Sequence, residues 1–132
     1  MNYLLDTHIL VWFLFNDKRL DTKTKDIIEN KSNHIYFSPI SLWELQINKS
    51  GITNLKDLDK FTNEIIEAGF EQAPITAKDI YSLNSLKNRN KKSEHKDPFD
   101  KMLIAQAKRN ELILISHNKE LKNYKEKCVM IV

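Results

Sequence analysis

Four points in the chain place oxygen-bearing side chains where a structural element ends or begins. Asp6 follows the apolar run Tyr3-Leu4-Leu5, and Glu44 lies in the first turn of a helix opened by Ser41. Asp100 lies in the first turn of a helix that Asp97-Pro98 opens, and Asn118 stands just past the run Leu112-Ile113-Leu114-Ile115-Ser116. In an open α/β sheet ligands bind outside the carboxyl ends of the strands, and the helix starts beside those ends face the same way. Asp6, Glu44, Asp100 and Asn118 are therefore expected to converge despite their separation in sequence.

Three carboxylates brought together repel one another and raise one another's pKa. A hard divalent cation relieves that conflict and prefers oxygen ligands. Mg²⁺ keeps several waters and completes its shell with phosphate oxygens, and a pair of such metals about 3.5–4 Å apart can activate water and steady the leaving oxygen of a phosphodiester. The chain has no Cys/His cluster at zinc spacing, no Walker-type glycine loop and no GxGxxG. Each acid also has a purely structural reading. Asp6 suits the cap of the helix starting at Thr7, and Asp97 suits an N-cap with Pro98 at the first helical position. Asp100 suits a helix dipole, and Ser41-Leu42-Trp43-Glu44 matches a capping box. Among the histidines, His8 is expected to pack near the site and His34 and His117 to be exposed; Trp12 and Trp43 are expected in the core.

The elements that must position these groups follow from periodicity. Strands are expected at Tyr3–Leu5, Ile35–Phe37 and Leu112–Ile115, with a short edge strand within 70–75 and a last strand at Val129–Val132. Helices are expected from Thr7 to near Asn16, over 22–31, from Ser41 to about Asn48, over 55–68 with Gly69 as C-cap, over 76–87 and from Pro98 to Arg109-Asn110, with a turn or short helix at 118–125. Strands alternating with helices along the whole chain predict a central, mainly parallel sheet with helices on both faces.

At 132 residues the chain fits one domain, 1–132, with a core of its own. A composition 41% hydrophobic and 30% charged, with only 2 Gly and 3 Pro, excludes a disordered or repeat protein. Cys128, the single cysteine, cannot form an internal disulfide and reads as a small buried hydrophobe suited to the reducing cytoplasm. No run is long enough to span a membrane, and the N-terminus does not read as a signal peptide. The net charge of +3 permits a polyanionic partner. Lys87, Arg89, Lys91, Lys92 and Lys96 crowd one segment opposed only by Glu94, with Lys101 close behind; this reads equally as a phosphate-binding patch or a solvated loop.

The strings Leu4-Leu5-Asp6-Thr7-His8, Ser41-Leu42-Trp43-Glu44-Leu45 and His95-Lys96-Asp97-Pro98-Phe99-Asp100-Lys101-Met102-Leu103-Ile104-Ala105-Gln106-Ala107 resemble those of PIN-domain proteins, in order and over essentially the whole chain. Within that family the sequence is most similar to the VapC-type toxins of type II toxin–antitoxin pairs. The resemblance implies an α/β/α sandwich and a Mg²⁺- or Mn²⁺-dependent endoribonuclease. It also implies a frequent homodimer and an antitoxin that blocks the site. Carried over by position, Asp6, Glu44 and Asp100 match the acidic metal site, with Asp6 and Asp100 holding the principal metal and Glu44 completing the cluster or orienting water.

One departure stands out. Where the family usually has Thr/Ser-x-Asp after the fourth strand, this chain has Ser116-His117-Asn118. Asn118 can offer a carbonyl oxygen to a metal but brings no charge, and Ser116 can position a ligand or a water. The alternative reading is therefore a catalytically weak PIN-like module that binds RNA or a partner protein. A phosphoacceptor domain of response-regulator type fits poorly, because the paired acids expected at its first strand are missing.

Overall fold

The computed structural model describes residues 1–47, 57–87 and 97–132. Five strands, β1 (Asn2–Leu5), β2 (His34–Phe37), β3 (Glu71–Gln72), β4 (Ile113–Ser116) and β5 (Val129–Ile131), form one sheet in the order β3-β2-β1-β4-β5. Every pairing is parallel. The helices are α1 (Thr7–Leu14), α2 (Thr22–Glu29), α3 (Pro39–Ile47), α4 (Leu58–Glu67), α5 (Ala77–Tyr81) and α6 (Pro98–Arg109), with 3₁₀ segments at Ser82–Ser85 and Lys119–Tyr124.

The pleat sends alternate residues to opposite faces, and the two sides of the sheet are covered differently. Tyr3, Leu5, Ile35, Phe37 and Ile115 join Ile9, Leu10 and Trp12 of α1, Ile28 of α2 and Phe61 and Ile65 of α4 in one core. Leu4 and Leu114, paired in register, face the other way into a core built on Met102, Leu103, Ile104, Ala105 and Ala107 of α6. The result is the expected α/β/α sandwich. Its sequence order reverses at the β1–β4 pair, so the crevice of such a sheet lies at the C-terminal ends of these two strands.

Several boundaries differ from the sequence reading for local reasons. The third helix starts at Pro39, where proline's fixed φ suits the first turn, and Ser38 Oγ accepts from the Ile40 amide at 3.1 Å. The capping box read at Ser41 does not form, which leaves Glu44 free for other partners. The helix expected over 76–87 keeps its capping box at Thr76 and Asp79 but is α-helical only to Tyr81. Ser82 and Ser85 hydroxyls donate to the carbonyls of Asp79 and Ser82 at 2.6 and 2.7 Å, a local competition that tightens the chain into a 3₁₀ turn. Pro74 limits β3 to two residues. Trp43 is 57% exposed rather than buried, because α3 turns Leu42 and Leu45 inward and leaves the Trp43 ring edge-on to Phe99 at 5.1 Å. Cys128 is half-buried at the rim of the α6 core.

Three helices end in the same way. After α1, α4 and α6 the residues Asn16, Gly69 and Glu111 take positive φ of 51°, 94° and 57°. Amides of Asp17, Phe70 and Leu112 then return to carbonyls of Trp12, Ile65 and Ala107 at 2.8, 3.3 and 2.9 Å, the Schellman pattern. Gly69 fits its conformation, Asn16 tolerates it, and Glu111 is strained. A Cβ at Gly69 would meet nothing within 4 Å, so only φ opposes a side chain there. Gly69→Ala is expected to lower stability by about 1 kcal/mol, and Glu111→Gly to raise it by about 0.5–1 kcal/mol. Urea midpoints at constant m-value test the pair; equal midpoints would remove the strain argument.

Candidate active site

Asp6 leaves the end of β1 as the N-cap of α1, its Oδ1 accepting from the Ile9 amide at 2.9 Å. Asp97 caps α6, its Oδ1 accepting from the amides of Phe99 and Asp100 at 2.9 and 3.3 Å. Both capping readings therefore hold, and both caps also open onto one cavity of about 420 Å³ lined by Asp6, Thr7, His8, Trp12, Arg19, Glu44, Asp97, Asp100, His117 and Asn118. Capping and convergence have a common origin: a helix N-terminus that favours a carboxylate also aims it at the strand ends.

Glu44, buried on α3, meets Thr7 at the start of α1. Thr7 Oγ1 donates to Glu44 Oε1 at 2.6 Å and stands 3.0 Å from Ser41 Oγ, so two buried hydroxyls hold this acid in place. Burial pushes Glu44 up to about 7 against the Thr7 hydrogen bond, and Asp97, Asp100 and Asp6 push it the same way. Burial likewise raises Asp6, opposed by hydrogen bonds from Ser116 and the Ile9 amide and reinforced by Asp100.

A second chain of contacts ties Asp6 to Asp100. The Ser116 hydroxyl, buried at the end of β4, donates to Asp6 and accepts from the Asn118 amide at 3.0 Å. Asn118 caps the 3₁₀ segment through Oδ1, which accepts from the Glu120 amide at 3.1 Å, and its Nδ2 donates to Asp100 Oδ2 at 3.0 Å. The side-chain oxygen expected to face a metal is thus given to the backbone, and a neutral donor faces the carboxylate.

Thr7, Trp12, Arg19 and His117 had no place in the site expected from sequence. Thr7 carried a signal in its position directly after Asp6. Arg19 sits in the loop between α1 and α2, where nothing in the sequence marks it. His8 and His117 are exposed and line the cavity, and each packs edge-on to the buried Trp12 ring, at 5.8 and 5.0 Å. Lys101 lies in the first turn of α6 but does not line the cavity. Lys91, Lys92 and Lys96, read as phosphate contacts, lie outside the described residues.

The family model described as "PIN domain" matches residues 3–127, almost the whole chain. The chain belongs to the PIN domain family. Among solved structures, this PIN domain is similar to a chain of VapBC2 from Rickettsia felis bound to a DNA fragment from their promoter (23% identity, 100% of this chain and 98% of that one covered, TM-score 0.67). It is also similar to a chain of DNA-bound VapBC from Salmonella typhimurium (16%, 100% and 97%, TM-score 0.70) and one of VapBC-1 from nontypeable Haemophilus influenzae (18%, 99% and 98%, TM-score 0.68). No curated protein sequence matches it. No helix among the described residues is long and apolar enough to cross a membrane.

As donors, the PIN domain cavity offers four carboxylates and no thiolate, a set that fits a hard divalent cation. Among the described residues no three His, Cys, Asp or Glu side chains already stand grouped to hold one. Glu44 is turned to Thr7 and Asp100 to Asn118. That arrangement suits Mg²⁺, which is commonly held by one or two carboxylates and several waters.

Two predictions follow from these contacts. Folded Glu44 keeps its proton up to about 7 against an ordinary 4.5, so across that window the native state binds more protons than the unfolded chain. The contribution of Glu44 to stability in chelator should therefore be full below about 4.5 and be lost as pH rises through about 7. Glu44→Gln should flatten the fall; melting temperatures that are parallel for both proteins would show that Glu44 does not titrate late. Asn118→Asp sets a carboxylate against Asp100 and loses a hydrogen bond to a charged group, a cost of about 1.5–3 kcal/mol at neutral pH in chelator. Mn²⁺ should narrow that gap. Equal melting curves without metal would mean that the Asn118–Asp100 contact contributes nothing.

Proposed function

We propose that this PIN domain is a metal-dependent endoribonuclease and the toxin of a type II toxin–antitoxin pair. The observation that carries the reading is the convergence of Asp6, Glu44, Asp97 and Asp100 on one cavity at the β1–β4 crevice. These acids come from three segments far apart in sequence, around Asp6, Glu44 and Asp97–Asp100, and their mutual repulsion has no structural benefit that a neutral cap would not give. The VapBC complexes among its structural neighbours support the toxin assignment and an antitoxin as partner. A homodimer and a cytoplasmic setting belong to the same reading.

Mg²⁺ or Mn²⁺, when bound, would supply an activated water and charge neutralisation at the scissile phosphate. Asp6 and Asp100 are the carboxylates suited to hold it, with Glu44 beside them. Ser116 and Asn118 fix the rotamers of Asp6 and Asp100, and Thr7 fixes Glu44. Glu44, with its affinity for a proton near neutrality, is placed to take one from the attacking water. Lys91, Lys92, Lys96 and Lys101 are proposed as further contacts for RNA phosphates.

A binding module that cuts poorly is the second reading, and one observation favours it: Asn118 puts a neutral amide where a further negative charge would strengthen metal binding. One experiment separates the two. Cleavage of RNA by the purified protein is expected with Mg²⁺ or Mn²⁺ and is expected to stop with EDTA. Asp6→Asn should reduce it by two orders of magnitude or more, about 3 kcal/mol at 1.4 kcal/mol per tenfold. Asparagine is itself a good N-cap, so that variant should still fold. Full activity in chelator would sink the metal assignment, and RNA binding without cleavage would select the second reading.

A further inference from the structure

Arg19 is the one Lys or Arg among the described residues lining a cavity that otherwise presents four carboxylates. It is not spent on neutralising them. Its Nε and Nη2 donate to Asp17 Oδ1 and Oδ2 at 3.1 and 2.7 Å, and its backbone amide donates to the same Oδ1 at 2.9 Å. Arg19 holds the Asp17 carboxyl down at about 2, so the clamp persists at any neutral pH. The guanidinium carbon lies 5.0 Å from the centroid of the Trp12 ring, which is 4% exposed and therefore a fixed platform. Asp17 in turn is held by the return of its own amide to the Trp12 carbonyl at the end of α1.

The clamp uses one edge of the guanidinium and the platform one face. Among the described residues nothing accepts from the two Nη1 hydrogens or from the second on Nη2, on a side chain 63% exposed at the cavity. An exposed ion pair contributes little to stability, which gives this bidentate, stacked arrangement no evident purpose in the fold. A pre-set planar fork with unused donors is instead what binding a phosphate requires, because little side-chain entropy remains to be lost. The need for it is electrostatic: a phosphodiester approaching four carboxylates is repelled unless a cation stands at the approach.

We infer that Arg19 is a positioning residue that grips a phosphate of an RNA strand bound at this cavity, with Asp17 and Trp12 holding its guanidinium ready. The inference deepens the ribonuclease reading and rests on it for the identity of the ligand. Its chemistry is that of any single-stranded polyanion, so RNA and DNA strands are distinguished in the test.

The test uses short unstructured RNA and DNA strands of matched sequence. Cleavage is followed with the wild-type protein and Arg19→Gln, Arg19→Lys and Lys31→Gln. Binding is followed for the same three substitutions made in an Asp6→Asn protein with Mg²⁺. Lys31 lines a separate cavity, with His34, Gly69 and Glu71, and controls for loss of one unit charge. Arg19→Gln is expected to raise KM and Kd for RNA about tenfold, the loss of one charge-assisted contact, with kcat changed less than KM. The slope of log K against log salt should fall by about 0.7. Arg19→Lys should keep the slope but recover only part of the affinity, because a lysine can neither fork onto Asp17 nor stack on Trp12 in the same way. Lys31→Gln should leave both unchanged.

If wild type cleaves RNA and Arg19→Gln matches it in KM and slope, the inference is overturned and the ribonuclease reading stands. If wild type does not cleave but its RNA binding depends on Arg19 with the expected slope, the inference stands and that reading falls. Arg19 dependence confined to DNA, or no binding of either strand, overturns the inference.

Discussion

The repulsion among Asp6, Glu44, Asp97 and Asp100 is the constraint around which the C-terminal edge of the sheet is organised. Left alone, like charges at this spacing spread apart or take up protons, and burial drives Asp6 and Glu44 toward the second course. The fold answers with donors at fixed positions. Two of the acids accept backbone amides at helix starts, Glu44 accepts the Thr7 hydroxyl, and Ser116 and Asn118 serve Asp6 and Asp100. The carboxylates are thereby oriented, and these donors offset part of the pull that burial exerts toward the protonated form.

The sheet makes this possible. Parallel strands all deliver their carboxyl ends to one edge, and the order β3-β2-β1-β4-β5 sets β1 and β4 side by side at its reversal. Asp6 and Ser116 therefore come from neighbouring strand ends although most of the sequence lies between them. Helices α1, α3 and α6 begin at or near the same edge, so side chains of their first two turns meet there, Glu44 from the second turn of α3 because that helix starts at Pro39 and not at Ser41. The two hydrophobic cores hold these starts rigid, the first through α1 and the second through α6.

Much of this was legible in the sequence because it depends on local rules. Asp97-Pro98 announces a helix start, the abrupt end of Tyr3-Leu4-Leu5 at Asp6 announces a strand end, and alternation of elements gives a parallel sheet. What was hidden depends on tertiary placement. Arg19 reaches the cavity only because α1 ends in a tight reversal after Trp12, and no residue pattern reveals that. Glu44 was read as half of a capping box with Ser41, a local explanation that loses to Thr7, which is distant in sequence but adjacent in space. Asn118 was expected to offer its oxygen to a cation, whereas the backbone of the following 3₁₀ turn claims that oxygen first. The helix expected to run to residue 87 stops early for a reason written in serines, but whether a serine hydroxyl turns back on its own backbone depends on the packing around it.

The pairing of β1 with β4 also has a bearing on how the protein is made. The first strand leaves the ribosome more than a hundred residues before its central neighbour, and closing so long a loop is the slow step in assembling a parallel sheet. Until β4 docks, Asp6 has no Ser116, Asp100 has no Asn118, and the crevice between the two strands does not exist. A nascent chain in which β4 has yet to emerge therefore carries Asp6 and Glu44 but not the arrangement that joins them to Ser116 and Asn118. The topology withholds the site until β4 has been made, so any fragment that ends before Ile113 lacks it altogether.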